Sequence, residues 1–582
     1  MKILNISLIS VAISLVFSAT VNANTVNLIL KHKDNQITKY SKISESKKAM
    51  QHTLSALPLN IQKSTHKVIN NSKYSLISVD ADSPEQAIKM LKATGKYESV
   101  ELDIVVQTPK PITELVFKVN SNSEDGLPND RYYDDQKPYL GPLGKGQNYA
   151  GEYFTGHNFE GVWRIADTSA RLIRVGVADS DFTQHSDIIY SNEGLDLKER
   201  DNDPFQTNES LNERKCGSHG NAVSSVISAI RDNKFGIAGA AINTEIVPAR
   251  VLDCGSGGIA FADAIRWFAG DTLGEGIQDI SEPVDVINLS LGAKVPGGCI
   301  DYVQDSIDYA TQRGIPVILS AGNDNIDVKE HLPTGCNGVI IAGATNWKND
   351  RAEFSNYGKE VTVSTHGTGV AAYSTQRFEG DELVYGYSGT SFSAPLVTSA
   401  VATAIGQAGK LSIEEIKFLL AATSDNYNEN SSCILENKPC GAGGLNAKAF
   451  VEAAIKLKSG ELSYIQNAFA GTEECVSDII DDFLNTEIQS CRLFEVAFNS
   501  LAQDKQSITY SLYRVEQGSE LSIENSSMEI LIDSTQTPSV LMEFEQSDLT
   551  SFDYGMRTCI NGNCQPITPI NVSLENAPKC TN

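Results

Sequence analysis

The chain has 582 residues, with 73 Asp and Glu against 47 Lys and Arg, a net charge of −26 and 11 cysteines. Its length allows three or four units of roughly 150 residues and a large buried core. A content of 41% hydrophobic and 21% charged residues excludes a disordered or collagen-like chain. So acidic a balance also argues against a nucleic-acid binder, which needs a basic footprint.

The charge is unevenly spread. Residues 24–110 carry 13 Lys and Arg against 8 Asp and Glu, whereas residues 461–582 carry 5 against 19. A basic leader therefore precedes an acidic body.

The first residues hold one Lys, an apolar run from Ile3 to Phe17, and small residues around Val21-Asn22-Ala23. This pattern predicts a secretory signal peptide over 1–23, cleaved after Ala23, with a membrane anchor as the alternative. The run is short for a span, and no other stretch reaches the ~20 apolar residues that a membrane helix needs. Secretion makes the cysteines readable as disulfides. Cys433/Cys440 and Cys559/Cys564 could close short loops, and Cys216/Cys254 and Cys299/Cys336 longer ones. Spacing alone does not fix the connectivity. Eleven is odd, and Cys580 is the simplest choice for the thiol left over.

Residues 24–110 combine short strand-like runs (VNLIL, YSLISVD, VELDIVVQ) with a helical stretch, SPEQAIKMLKATG, opened by Ser83 and Glu85. A small α+β domain fits. The polar stretch 111–135 reads as an exposed linker. From about 165 to 455, unalternating apolar runs (LIRVGVAD, PVDVINLSLG, GIPVILSAGN, GVIIAGAT) alternate with helical segments. Such runs suit strands buried on both faces, so this part predicts an α/β domain with a parallel sheet and helices on both sides. After 460 the texture turns β-rich (ITYSLYRV, MEILID, SVLMEFE, FDYGMRTC) and predicts an acidic β-sandwich.

Three places join a buried element to a reactive residue. In VGVADSD, Asp179 stands at the carboxyl end of a strand, where α/β sheets gather their catalytic groups. In CGSHGNAVSSVISAI, His219 opens a helix, an end that disfavours standing positive charge and suits a neutral base. In YSGTSFSAPLVTSAVA, Ser391 follows Gly389-Thr390 and opens another helix, whose free N–H groups could meet an oxyanion. Taken singly, Asp179 and Ser391 read better as turn or capping residues, and His219 reads at least as well as a structural or surface residue. Together their order, Asp then His then Ser, is that of the subtilisin triad, and the α/β-hydrolase elbow G-x-S-x-G is absent. Asn323, after Gly322 at a strand end in PVILSAGND, could donate its amide to an oxyanion.

These blocks carry a resemblance. VGVADSDFTQHSDI, SHGNAVSSVISA, DVINLSLG, ILSAGN and SGTSFSAP occur in order over about 220 residues and resemble those of the subtilases, the subtilisin-like serine peptidases. EIVPARVLDCGSGG adds a further match, and the placements of Cys254, Cys299 and Cys336 resemble secreted bacterial members. The resemblance implies a three-layer α/β domain over 128–458 with a mainly parallel sheet, after an inhibitory prodomain over 24–120 and before a β-rich domain over 461–582. It implies a secreted, monomeric endopeptidase, extracellular after passing a bacterial periplasm, that acts on proteins or peptides and frees itself from its own prodomain. Ser391 would be the nucleophile, His219 the base, Asp179 its orienter, and Asn323 with the Ser391 N–H the oxyanion hole. Ser290, Leu291 and Gly292 would pair with the substrate backbone, and Gly322 would wall the specificity pocket. A structural Ca²⁺ is implied at Asp187, Ile230, Asp232 and Asn233, an oxygen-rich set.

The chain departs from the family pattern at Asp181, where a glycine is usual, and at Asn221-Ala222, where Thr-His is usual. A second carboxylate so near the site could alter the pH profile. These departures motivate an alternative, a catalytically impaired scaffold acting by binding. The basic leader would dock on the acidic body. PNDRYYDDQ at 128–136 resembles mature N-termini in the family and places maturation between Lys110 and Leu127.

Overall fold

The computed structural model describes residues 24–33, 67–69, 74–81, 83–108, 115–116, 127–142 and 156–459, apart from 215, 275, 375–383, 428–430 and 437, together with backbone strands beyond 492. The expected signal peptide, Cys475, Cys491 and Cys580 lie outside the described residues, as does most of the stretch 110–127. The chain divides into two compact units, one of residues 1–105 with 300–305 and one of 106–299 with 306–582.

In the first unit the strands Lys67–Ile69, Tyr74–Ala81, Asn24–His32 and Tyr97–Leu102 form one antiparallel sheet in that order. Leu28, Leu30, Ile77 and Val79 sit two apart along their strands and fill one face, as a period of two requires. The helix Pro84–Ala93 buries Ala87 and Leu91 on that face. Its N-cap is Ser83, whose hydroxyl accepts from the Gln86 N–H at 3.2 Å, and Pro84 fills the first helical position, where a missing N–H costs nothing. The run VELDIVVQ does not stay one strand. It leaves this sheet at Leu102, and Val106–Gln107 pair elsewhere.

The second unit is built on a seven-stranded sheet. Its order is Val363–His366, Ile340–Thr345, Val317–Ser320, Val286–Leu289, Ile173–Ser180, Thr244–Leu252 and Leu195–Asp196, with every adjacent pair parallel. The unalternating apolar runs thus become strands covered on both faces. Val175 and Val177 belong to the core that holds Val397, Val401 and Val226 from the helices Thr390–Ala408 and His219–Ser228. Gly176, pointing the other way, faces Phe268 of the helix Ala260–Phe268 so closely that a Cβ there would stand 2.9 Å from its ring. Helices therefore lie on both faces, in three layers.

The helix Thr390–Ala408 is buried from Thr390 to Ile405. Its sequence, TSFSAPLVTSAVATAIGQA, uses small residues to let it approach the strands. Its serines and threonines turn their hydroxyls back onto the helix, as when Ser399 donates to Pro395 O at 2.7 Å and Thr403 to Ser399 O at 2.8 Å. Among the described residues three disulfides form, Cys216–Cys254, Cys299–Cys336 and Cys433–Cys440.

Beyond 492 the β-rich runs are strands. Leu493–Ala497 pairs antiparallel with Ser539–Glu543. Ile508–Glu516 lies between Met528–Asp533 and Phe552–Ile560, which also pairs with Asn563–Cys564 and Thr568–Ile570. Cys559 and Cys564 are register partners there. Among the described residues no helix is long and apolar enough to cross a membrane.

Candidate active site

Parallel strands all deliver their carboxyl ends to one edge. That edge receives Asp179 from Ile173–Ser180, Ser290 just past Val286–Leu289, and Asn323 just past Val317–Ser320. Two helices bring their N-termini to the same edge, one starting at His219 and the other at Thr390-Ser391.

His219 and Asp179 are hydrogen-bonded, Nδ1 to Oδ1 at 2.8 Å, and Asp179 is wholly buried. The Ser180 N–H also donates to that oxygen at 2.6 Å. Glycine at 220 is forced by space, since a Cβ would lie 2.5 Å from Ser180 O and 2.7 Å from the Phe182 ring. Asn221, at the departure from the family pattern, ties the two blocks together. Its Nδ2 donates to Thr183 Oγ1 at 2.6 Å, and its Oδ1 accepts from the Thr183 N–H at 2.8 Å and the Tyr190 hydroxyl at 2.9 Å.

Ser391 Oγ donates to Ser290 O at 3.4 Å, and Ser290 Oγ donates to Ser391 O at 2.9 Å. His219 Nε2 is buried and has no hydrogen-bond partner among the described residues. Catalytic hydrogen bonds commonly tighten only once substrate is bound.

Asn323 is oriented by Thr390. Both the Thr390 N–H, at 2.9 Å, and its hydroxyl, at 2.8 Å, donate to Asn323 Oδ1. Two donors on one oxygen fix which amide atom is which and turn Nδ2 outward. That Nδ2 is buried without a partner among the described residues, and it faces Gly389, where a Cβ would come within 3.1 Å. An unused buried donor beside the free first-turn N–H groups of a helix is what an oxyanion needs.

The cleft already holds a strand of the chain itself. Gln107 exchanges backbone hydrogen bonds with Gly292 at 2.9 and 3.0 Å, and the Thr108 N–H donates to Gly255 O at 2.9 Å. Val106–Gln107 also pairs antiparallel with Ser256–Gly257, and Val106 is fully buried. Ser290, Leu291 and Gly292 thus form one wall, and Gly255–Gly257 form the facing one. Sequence reasoning noted CGSGG but gave it no role in binding; its signal was a glycine pair between a strand and a helix.

The four metal candidates fall in two groups. The Asp187 carboxylate accepts from Asn233 Nδ2 and from the Tyr373 hydroxyl, and the Ile230 N–H donates to Asp187 O at 2.9 Å. Asp232 turns instead toward Asn129, whose N–H donates to its Oδ1 at 3.3 Å, while the Asp232 N–H donates to Asp130 Oδ2 at 2.9 Å. Asp130, which sequence reasoning missed, keeps a buried Oδ1 without a partner among the described residues, and burial raises its carboxyl above the usual range. Asp181, Cys216 and Cys254 also cluster tightly enough to suggest a metal, but the two cysteines are a disulfide.

Asp181 is buried with a left-handed φ of 39°. Arg250 Nε at 3.5 Å and Arg214 Nη2 at 3.7 Å face it, neither as a hydrogen bond. Arg250 gives its best donor to Asp196 instead, at 2.7 Å. Burial therefore outweighs the two guanidiniums, and the carboxyl is pushed up to about 6.

The profile of the subtilase family matches residues 171–443. The chain is 30% identical over 390 residues to the extracellular basic protease of Dichelobacter nodosus, covering 63% of this chain and 62% of that protein. It is 29% identical over 404 residues to an extracellular protease of Xanthomonas campestris pv. campestris, covering 65% and 63%. Subtilisin DY of Bacillus licheniformis is 30% identical over 240 residues, 40% of this chain and 80% of that protein. The chain thus spans just under two thirds of the first two relatives.

The shifted carboxyl generates a prediction. An unfolded Asp titrates near 3.9, so between about pH 4 and 6 the folded state holds a proton that the unfolded state has lost. This contribution to stability falls as pH rises through that window and stays low above it. In a Ser391→Ala background, Asp181→Asn should gain stability over its parent between pH 4 and 7, by roughly 2–3 kcal/mol. Urea unfolding at each pH measures it, and a pH-independent difference would contradict the assignment.

Proposed function

The chain belongs to the subtilase family, and from that premise we propose that it is a secreted serine endopeptidase that matures by cutting its own prodomain. The observation that carries the reading is the pairing of an oriented His219 with an Asn323 amide whose only free donor faces the Ser391 turn.

In this reading Ser391 Oγ attacks the peptide carbonyl carbon as its proton passes to His219 Nε2. Asp179 holds the imidazole by Nδ1 and stabilises its positive form without taking the proton. The oxyanion is met by Asn323 Nδ2 and the Ser391 N–H. Collapse of the tetrahedral intermediate releases the amine with the proton from His219, and water repeats the sequence on the acyl-enzyme. Protein or peptide substrates enter as a strand between residues 290–292 and 255–257.

Prodomain inhibition by residues 24–120 is supported by the strand Val106–Gln107 in that cleft, and secretion by the signal-like residues 1–23. A structural Ca²⁺ is supported by donor type. Asp187, Asp232, Asn233, the Ile230 carbonyl and the orphaned Asp130 oxygen would hold it, once the Asn233 amide turned its oxygen inward and the Asp232 carboxylate turned away from Asn129. Such an ion would add rigidity and no chemistry. The competing reading, a binding scaffold without turnover, draws on one observation: Ser391 Oγ bonds to Ser290 O and not to His219.

Ser391→Ala should abolish casein hydrolysis and leave the chain at full length. Asn323→Leu should lower kcat by ~10²–10³ while still being labelled by a fluorophosphonate. An unlabelled wild-type chain would favour the scaffold reading, and a Ser391→Ala chain that matured normally would exclude the peptidase. Residues 106–108 lie in the cleft, and residues 115–116 pair with Tyr385–Gly386 on the strand leading to Ser391. The first cut should therefore fall between Thr108 and Leu115, and N-terminal sequencing of the earliest processed product checks it. Removing Ca²⁺ with EGTA should lower Tm by about 5 °C or more; an unchanged Tm would remove calcium from the account.

A further inference from the structure

The side-chain preference of the cleft is written in a residue that neither the triad nor the backbone pairing uses. In the antiparallel register that pairs Gln107 with Gly292, a peptide residue two positions further on lies opposite Ser290. Ser290 and Ser391 touch, so that residue presents its carbonyl to the nucleophile. Its oxygen turns to Asn323, and its side chain leaves through the slot between the 290–292 wall and the turn at 321–323. Each wall carries a glycine there, Gly292 on one side and Gly322, with φ of 99°, on the other.

Two facing glycines ordinarily leave room for a large side chain. Here one imidazole spans the gap. A Cβ on Gly292 would stand 2.1 Å from His331 Cε1 and 3.0 Å from its Nδ1, and a Cβ on Gly322 would stand 2.8 Å from Nε2 and 3.0 Å from Cδ2. Opposite edges of the same ring thus touch both walls. The ring is also well held. Lys294 and Ala293, continuing the substrate-binding strand, pair with His331 and Leu332. Thr334 Oγ1 and the Gly335 N–H both donate to His331 O, and Cys299–Cys336 closes the loop around it.

We infer that His331 determines the residue on the acyl side of the cut, admitting a short side chain that carries a hydrogen-bond donor (Ser, Thr, Asn) and excluding large apolar ones. His331 Nδ1 is buried and has no partner among the described residues, in a residue only 4% exposed. Burial pulls the imidazolium down to about 4, so the ring is neutral in the working range, with one donor and one acceptor. Asp324 Oδ2, 3.8 Å from Nε2, favours the proton on that nitrogen and leaves Nδ1 as the acceptor. An O–H or N–H on a short substrate side chain would satisfy it, whereas an apolar one leaves it unpaired. The penalty for such a buried acceptor corresponds to ~5–150-fold in kcat/KM.

The inference rests on the peptidase reading, and its test separates the two. Self-matured enzyme is assayed on fluorogenic tetrapeptides that differ only at the residue before the leaving group: Asn, Ser, Ala and Phe. The wild type should follow Asn and Ser over Ala over Phe, with at least 10-fold between the ends. His331→Gly should reverse the ends, with Phe gaining at least 10-fold. His331→Phe, which keeps the bulk but not the acceptor, should still reject Phe and lose the advantage of Asn and Ser over Ala. If the wild type prefers Phe, or if every protein that matures shows one common order, the assignment to His331 is overturned. Should His331→Gly fail to mature, the wild-type order and His331→Phe decide alone. A wild type that cleaves none of these peptides or casein, and takes no fluorophosphonate, fails at the peptidase reading itself.

Discussion

The rest of the site depends on a helix buried on nearly all sides whose first turn must end at a fixed point. A helix packed into a sheet cannot slide without opening voids, because interiors are packed about as densely as organic crystals. Thr390–Ala408 meets this with small residues and with hydroxyls satisfied inside the helix. Its N-terminus is then pinned from two strands. Ser290, held through Asn288 and Thr398, donates to Ser391 O, and Asn323 accepts two hydrogen bonds from Thr390. The bonds that stop the helix from moving are the same ones that aim the Asn323 amide.

A cleft of this design recognises backbone before side chain. Between Gly292 and Gly255–Gly257 the exchanged hydrogen bonds are indifferent to sequence, and each has a modest net value of about 1 kcal/mol. Discrimination must then come from where side chains leave the strand. Val106 shows one exit, fully buried. The His331 ring stands at another. General affinity for extended chain with selectivity confined to a few exits fits the proposed reading, in which the prodomain is met first and other chains later.

The parallel sheet, the three reactive blocks and Asn323 were legible because each rests on local chemistry: apolar strands ending in polar residues, and helix starts marked by Gly, Ser or Thr. The disulfide pairs among 216, 254, 299, 336, 433 and 440 were legible as possibilities only, since spacing does not say which loops face each other. What stayed hidden depends on contacts across long separations. Thr390 orienting Asn323 is a relation between residues 67 apart. His331 meeting Gly292 follows from a pairing that no local pattern announces. VELDIVVQ read as one strand because Val100, Ile104, Val105 and Val106 favour strands, yet its last two residues pair with residues about 150 positions away. The resemblance put Asp187 and Asp232 on one ion, but the backbone turns at Asp232, with φ of 62°, and its carboxylate accepts from the Asn129 N–H.

The cysteines of the three bridges lie outside the strands of the main sheet. Cys216 lies three residues before His219, and Cys254 stands directly before Gly255, so one disulfide joins the start of the His219 helix to the segment that pairs with Val106–Gln107. The second, Cys299–Cys336, closes the loop that carries His331. Each spans a loop of about 38 residues, for which chain entropy predicts roughly 4 kcal/mol of stabilisation. The third, Cys433–Cys440, closes a loop that includes Pro439, whose carbonyl accepts from the Gly358 N–H. Each of the first two loops carries one strand of the main sheet, Thr244–Leu252 and Val317–Ser320, so the crosslinks tie down the turns on either side of segments that the sheet already holds. Asp181 belongs to the same logic. It occupies the turn between Asp179 and the Cys216–Cys254 bridge as an unsatisfied carboxylate facing two arginines, a destabilising choice at neutral pH. The bridge packs against that turn, its sulfurs within 4.8 Å of the Asp181 carboxylate, and limits how far the turn can open to relieve the charge. The disulfide and the buried carboxylate are therefore best understood as a pair.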